Sequence, residues 1–304
     1  MLSQNYLRKA ATKKEINMVR LTSSALAALS LIVSQCVAFT NIASIPTQAS
    51  SQRLASPYSS LSAMAAEEAT ETKNPRDEGL SLLLDDGTRK SHSVAENTAF
   101  VSGFFKGLST KESYRNLVTS LYFVYEAMEN SFDTTSEERV KALDGPELRR
   151  LDAIARDMEY FYGHEWKSMV EMSPATKAYV ARIEEVAKEN PYLLIGHQYS
   201  RYLGDLFGGQ MMGGMAVRSL GLSDGNGVQF YEFDQIPSAR DYITTWYETL
   251  NSLELTDIEK QEIVDEANYV FALNIAIFEE LEGSPFKAMW TLAVNTLKLK
   301  MGIN

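Results

Sequence analysis

The chain has 304 residues, 45% of them hydrophobic, with 29 Lys and Arg against 40 Asp and Glu, a length that suits one sizeable domain or two small ones. Residues 1–65 hold six bases and a single acid, Glu15, so the remainder carries 23 bases against 39 acids, a formal charge of −16. That acidity excludes a nucleic-acid footprint, which needs a basic face.

In chain order, Met18-Val-Arg precedes LTSSALAALSLIVSQCVAF, a basic start, a short apolar core and small residues near Ala38. This is the layout of a cleaved signal peptide over 1–38, and the apolar core is short for a membrane anchor, the competing reading. Lys9, Lys13 and Lys14 lie upstream of Met18, which is therefore a second candidate start. Residues 39–65 are rich in Ser, Ala and Thr, carry Arg53 and contain no acid, the composition of a transit peptide. A signal followed at Phe39 by a transit-like stretch resembles the two-part presequence of plastids of secondary origin, and the expected location is the stroma of an algal chloroplast. Residues 66–79, AEEATETKNPRDEG, are charged and apolar-poor and read as a flexible leader. The only cysteine, Cys36, falls in the signal segment. The mature body is then left without disulfide, thiolate ligand or cysteine nucleophile.

From Leu80 to Asn304 the patterns are helical. FVSGFFKGL, YRNLVTSLYFVYEAMENSF, LRRLDAIARDMEYFYG, ATKAYVARIEEVAKEN, EIVDEANYVFALNIAIFEELEG and PFKAMWTLAVNTLKLK place apolar residues at three- and four-residue spacing. Leu117, Leu121, Val124, Tyr125 and Met128 make one such stripe. Asp133-Thr-Thr-Ser-Glu, Ser173-Pro174 and Thr256-Asp257 read as capped helix starts, and 223–227 as a loop of turn formers. Only VQFYEF, residues 228–233, invites a strand. The expected fold is one all-α domain over residues 80–304.

Three histidines are present: His92, His164 and His197. In GTRKSHSVAEN, His92 is expected in the first turns of a helix. Glu96 lies four residues on, on the same face, where its carboxylate can orient the imidazole as partners of metal-bound histidines do. Arg89 and Lys90 are cations for anionic groups. An ordinary solvent-facing ion pair is the competing reading. His164 is expected just past a helix end near Gly163, and His197 as a hydrogen-bonded residue packed on its helix. The stretch YSRYLGDLFGGQMMGGM holds five glycines in eleven residues, at 204, 208, 209, 213 and 214. Each costs a helix about 1 kcal/mol against alanine. Gly204 and Gly208 lie about 40° apart on the helix, stripping one face for a flat ligand or a bend, whereas Gly209 and Gly213 open a second face for a neighbouring helix. Close helix packing is the alternative for both pairs. Asp205 is costly if buried alone, and Arg201, Tyr199, Tyr202 and Tyr125 are within reach as partners. An oriented His and a bare helix face beside an Asp network suit a flat metal macrocycle with one open axial position, a haem.

GTRKSHSVAEN (87–97), SLYFVYEAME (120–129), HQYSRYLGDLFGGQ (197–210) and FALNIAIFEELEG (271–283) closely resemble the haem oxygenase family, in matching order from about Leu80 to Lys298. The resemblance implies an all-α fold with haem, both substrate and cofactor, between a proximal helix and a kinked, glycine-rich distal helix. It implies His92 as the iron ligand and Glu96 as its partner. Gly204 and Gly208 would contact haem through backbone, and Asp205 would hold the distal water network with Tyr125, Arg201 and Asn274 behind it. Tyr199 would lie at the haem edge, and Phe271 and Phe278 would line the pocket. The implied reaction opens haem to biliverdin with O₂, releasing CO and ferrous iron, with electrons from reduced ferredoxin, and feeds bilin pigments. A haem carrier of the same fold is the alternative. Ile243 and Tyr247 stand where the family commonly has bases for the haem propionates, and Asp85 stands where a base is usual. Arg89 and Lys90 are the expected substitutes. Phe207 stands where Ser is usual, and Gly213-Gly214 replaces bulkier or charged residues. Ferredoxins are acidic, so docking on this body needs a local basic patch. Lys106, Lys111 and Arg115 are its candidates, a solvated charged turn being the other reading.

Overall fold

Asn74 accepts the Arg76 N–H on its side chain (3.2 Å), which starts a single 3-10 turn, Pro75–Asp77. The structure is a computed structural model and describes residues 74–222, 225–283 and 285–302. The signal-like 1–38, the transit-like 39–65 and the leader up to 73 lie outside the described residues, as do Ser223 and Asp224 of the predicted loop. Residues 74–78, read from composition as leader, are built into the fold. The carbonyl of Pro75 accepts from Ser81 Oγ (2.5 Å) and from Asn251 Nδ2 (2.7 Å).

Helix α1, Gly79–Glu96, follows. Leu80, Ser81, Leu84, Thr88 and Ala95 are its buried positions, at helical spacing. His92 therefore lies in the closing turns of its helix, contrary to the expectation from sequence. Asp85-Asp86-Gly87-Thr88 has the look of a turn and cap, yet the helix runs through it. Gly87 serves packing: a Cβ there would stand 2.5 Å from Val264 Cγ1. Helix α2, Ala99–Phe105, is capped by Thr98. Helix α3, Lys111–Thr134, is capped by Thr110 and buries the whole predicted stripe from Leu117 to Met128. It also absorbs Asp133, so the next helix, α4 (Glu138–Lys141), starts later than expected, with Glu137 as its cap.

Helix α5, Leu151–Tyr162, ends at Gly163, whose φ of +83° breaks the helix. His164 follows as expected, exposed beside Glu159. Ser173 caps α6, Pro174–Glu189. Helix α7, Leu194–Gln198, runs into a π-helical turn, Tyr199–Leu203, and then into α8, Gly204–Leu220. Helix α9, Ala239–Ser252, is capped by Ser238. A capping box of Thr256 and Glu259 starts α10, Asp257–Leu281, and α11 spans Pro285–Met301.

Among the described residues there is no strand. VQFYEF folds instead around a 3-10 turn, Gln229–Tyr231. The buried Asp157 carboxylate accepts from the Gln229 and Phe230 N–H groups (2.9 and 2.8 Å) and winds the segment into a turn. Helix α10 is the central element, packed on α1, α3, α6, α7 and α11, while α3 packs on α5 and α6. It meets α7 backbone to backbone: a Cβ at Gly196 would stand 3.1 Å from the Ala267 nitrogen.

Candidate active site

His92 and Glu96 share the outer face of the last turns of α1. Nδ1 lies 3.5 Å from Glu96 Oε1, and both side chains are more than half exposed, at 57% and 56%. A carboxylate on that side favours the proton on Nδ1 and leaves the Nε2 lone pair free. The imidazole meets the edge of Phe271 on α10, with ring centroids 5.5 Å apart at 80°. Ser91 Oγ donates to Asn268 Oδ1 (2.5 Å) and Asn268 Nδ2 to the Gly87 carbonyl (3.1 Å), fixing α1 against α10.

The distal side is a buried polar cluster. Arg201 Nη2 donates to both Asp205 oxygens (3.0 and 2.7 Å), and Nη1 donates to Asn274 Oδ1 (2.9 Å). The Tyr125 hydroxyl donates to Asp205 Oδ2. Burial pushes the Asp205 carboxyl up, against the Arg201 charge and the hydrogen bonds from Tyr125 and Arg201. Burial by itself would lower Arg201, but the Asp205 charge together with the neighbouring Tyr125 and Tyr179 outweighs it and holds the guanidinium above its ordinary value. Burial and the same charge raise Tyr125, which therefore stays a protonated donor. All four predicted members of the network are thus in contact. The π turn just before Gly204 widens the helix where this cluster sits, a distortion that recurs at functional sites.

The two sides meet on α10. Phe271, against His92, and Asn274, bonded to Arg201, are three residues apart and so neighbours on one helix face. Phe278 lies one turn further, stacked on Phe100 of α2 (5.4 Å, 6°). At one end the Thr88 and Tyr199 hydroxyls, 3.5 Å apart, tie α1 to the π turn. Helix α1 and the π turn that leads into α8 thus both rest on α10, and the candidate cleft runs between them, with His92 on the α1 side and Gly204 on the other.

The glycines divide as sequence predicts, with one change of partner. A Cβ at Gly204 or Gly208 would meet no protein atom within 4 Å, so no protein neighbour requires these glycines. At Gly209 and Gly213 a Cβ would stand 2.9 and 3.0 Å from Tyr231. The second face therefore takes the Tyr231 ring, not a neighbouring helix, and this accounts for Gly213. The bare face that Gly204 and Gly208 present is of the kind a planar macrocycle such as haem lies against.

Other predicted residues lie apart from the cluster. Arg89 is 71% exposed and turned to Asp86 and Asp85 of its own helix. Tyr247 is buried against Trp246. Lys106 and Lys111 are exposed, whereas the Arg115 guanidinium lies 4.8 Å over the Tyr162 ring. His197 is fully buried, as expected, and its Nε2 lies 3.0 Å from Glu266 Oε1, which Arg182 also holds. Both partners depress the buried Glu266 carboxyl despite desolvation. Sequence reasoning missed Tyr231, which sits in the segment read as a strand. A cavity of about 590 Å³ lies between α9 and residues 142–147 and includes none of the candidate residues. Among the described residues no group of three or more His, Cys, Asp and Glu could hold a metal ion, and no helix is long and apolar enough to cross a membrane.

A family model described as Heme oxygenase matches residues 78–280. The chain is 42% identical over 215 residues to heme oxygenase 1 of Nostoc sp., covering 70% of this chain and 90% of that protein. It is 43% identical over 216 residues to the heme oxygenase of the alga Pyropia yezoensis, covering 71% and 91%. The crystal structure of heme oxygenase-1 from the cyanobacterium Synechocystis sp. in complex with heme aligns with a TM-score of 0.66 at 42% identity, over 72% of this chain and all of that one.

Proposed function

The chain belongs to the haem oxygenase family, and from that premise we propose that the α1–α8 cleft takes haem as substrate, with His92 as the iron ligand and Asp205 as the distal acid-base group. The protein is a haem-degrading oxidoreductase that opens the macrocycle to biliverdin. Haem brings the iron at which O₂ is reduced, and the chain's residues bind, orient and supply protons. The carrying observation is that Gly204 and Gly208 present backbone free of any protein neighbour beside the buried Asp205 cluster.

Glu96 lies on the Nδ1 side of His92, so Nε2 would be the atom that holds the iron. Phe271 fixes the imidazole plane, and Phe278 lines the cleft floor. Tyr199 lies at the cleft's tied end. On the distal side, the raised Asp205 carboxyl holds a water and passes protons, while Arg201, Tyr125 and Asn274 keep it in place. The buried Arg201 Nε–H and Ser200 hydroxyl have no protein partner, and they are donors of the kind that ordered water satisfies.

Electrons come from reduced ferredoxin in an algal plastid, a setting that the presequence-like 1–65 and the red-algal and cyanobacterial relatives support. Ferredoxin docks through Lys106 and Lys111, bases on an acidic body. The test is a haemin titration followed by reduced ferredoxin under air. A one-to-one Soret complex that decays to a biliverdin band with release of CO is expected. A Soret complex that persists unchanged refutes the assignment of Asp205 and the donor together.

A further inference from the structure

Haem carries two carboxylates on one edge, and a protein that binds it must face them with donors and positive charge. At the tied end of the cleft three elements converge: α1 through Asp85 and Thr88, the π turn through Tyr199, and α9 through Tyr247. On α1, positions 85, 89, 92 and 96 follow helical spacing, so Asp85 lies on the His92 face two turns earlier. A bare carboxylate there would repel an anionic edge. The cation that meets it is Arg76, from the N-terminal turn: Nη2 donates to Asp85 Oδ1 at 2.5 Å. The turn that carries Arg76 and α1 both pack on α9. Of the other cations of α1, Arg89 is 71% exposed, pairs with Asp86 and comes only within 3.7 Å of the second Asp85 oxygen, and Lys90 is exposed.

The turn that delivers Arg76 is anchored. Asn251 on α9 accepts the Ser81 N–H (3.0 Å) and donates to the Pro75 carbonyl (2.7 Å). Gly79, at φ +58°, lets the chain pass where a Cβ would stand 2.6 Å from Asn251 Oδ1. The Arg76 side chain remains 38% exposed, and one N–H group of its planar fork is committed to Asp85, leaving the others to donate.

Resting on the haem-binding reading above, we propose that Arg76 is the cation that receives a haem carboxylate, held in place by Asp85 at the end of the cleft where Thr88 meets Tyr199. The N-terminal turn is then part of the substrate site, and it supplies the charge that Ile243 and Tyr247 do not.

The experiment compares haemin with haemin dimethyl ester, which keeps the ring and iron but has no carboxylates, by Soret titration of the wild-type chain and of Arg76→Gln and Arg76→Lys. Arg76→Gln should bind haemin about tenfold or more weakly, the scale of one charge-assisted hydrogen bond, and bind the diester as wild type does. Arg76→Lys should recover part of the loss. Equal weakening for both ligands would overturn the proposal, since Arg76 would then act only by docking the turn, and so would unchanged haemin affinity. A wild-type chain that takes up neither ligand would overturn the haem reading itself, which separates the two failures.

Discussion

The division of the glycines predicts that stability and binding respond with opposite sign at one position and with the same sign at another. At Gly208 a Cβ meets no protein atom within 4 Å, and the residue is interior to α8. Gly208→Ala should therefore stabilise the ligand-free protein by the helix-propensity difference, about 0.5–1 kcal/mol. In a domain of this size that raises the melting midpoint by roughly 1–4 °C. The same methyl stands where the macrocycle must lie, so haemin affinity should fall. At Gly213 the Cβ would stand 3.0 Å from the Tyr231 Cβ and 3.1 Å from its ring. Gly213→Ala should lose about 1–3 kcal/mol to overpacking, more than the propensity gain. Scanning calorimetry of the two ligand-free variants, with a Soret titration of each, measures all four effects. A destabilised Gly208→Ala that binds haemin normally would refute the reasoning, because the first glycine face would then serve protein packing.

Three further outcomes are expected. His92→Ala should take up haem without an axial-imidazole signature in its electron paramagnetic resonance spectrum, and its turnover should fall more than tenfold; an unchanged spectrum assigns the ligand elsewhere. Asp205→Asn should retain haem yet form little biliverdin, and weakening the partner of buried Arg201 should cost about 2–3 kcal/mol of stability in urea unfolding. Normal biliverdin yield from this variant would remove Asp205 from the chemistry. Burial raises Asp157 to about 6 from 3.8, against the backbone N–H groups it accepts from. Its folded-state value is the higher one, so its contribution is fully present below pH 3.8 and is lost as pH rises to about 6, by about 3 kcal/mol at most. Urea unfolding of wild type and Asp157→Asn between pH 4 and 7 should show the difference between them changing across that window; a constant difference would mean that Asp157 titrates normally.

The helices were legible because apolar spacing survives in each of them, and Ser173 and Thr256 cap as their residue types dictate. The distal network was legible because Arg201 and Asp205 are four apart on one helix, so the partner of a buried acid could be named without knowing the fold. Position within a helix was less legible. Asp-Gly-Thr reads locally as a break, and only the approach of Val264 to Gly87 shows why a glycine belongs inside α1. The turn at 229–231 is set by Asp157, some seventy residues away, and no pattern within VQFYEF carries that information. Arg76 was hidden for the same reason: its segment is polar and short, and its order comes from Asn251 on a distant helix.

Helix α10 sets the alignment of the two walls of the cleft. Phe271 steadies one wall and Asn274 the other, while Val264 and Ala267 are seated against glycines at 87 and 196. A single residue inserted between 267 and 271 would leave those seats filled and swing Phe271 and Asn274 by about 100°. The imidazole would lose its brace and Arg201 its Asn274 acceptor in one event. The length of this stretch is therefore under tighter constraint than the identity of most residues in it, and a chain that changed it would have to rebuild both walls at once.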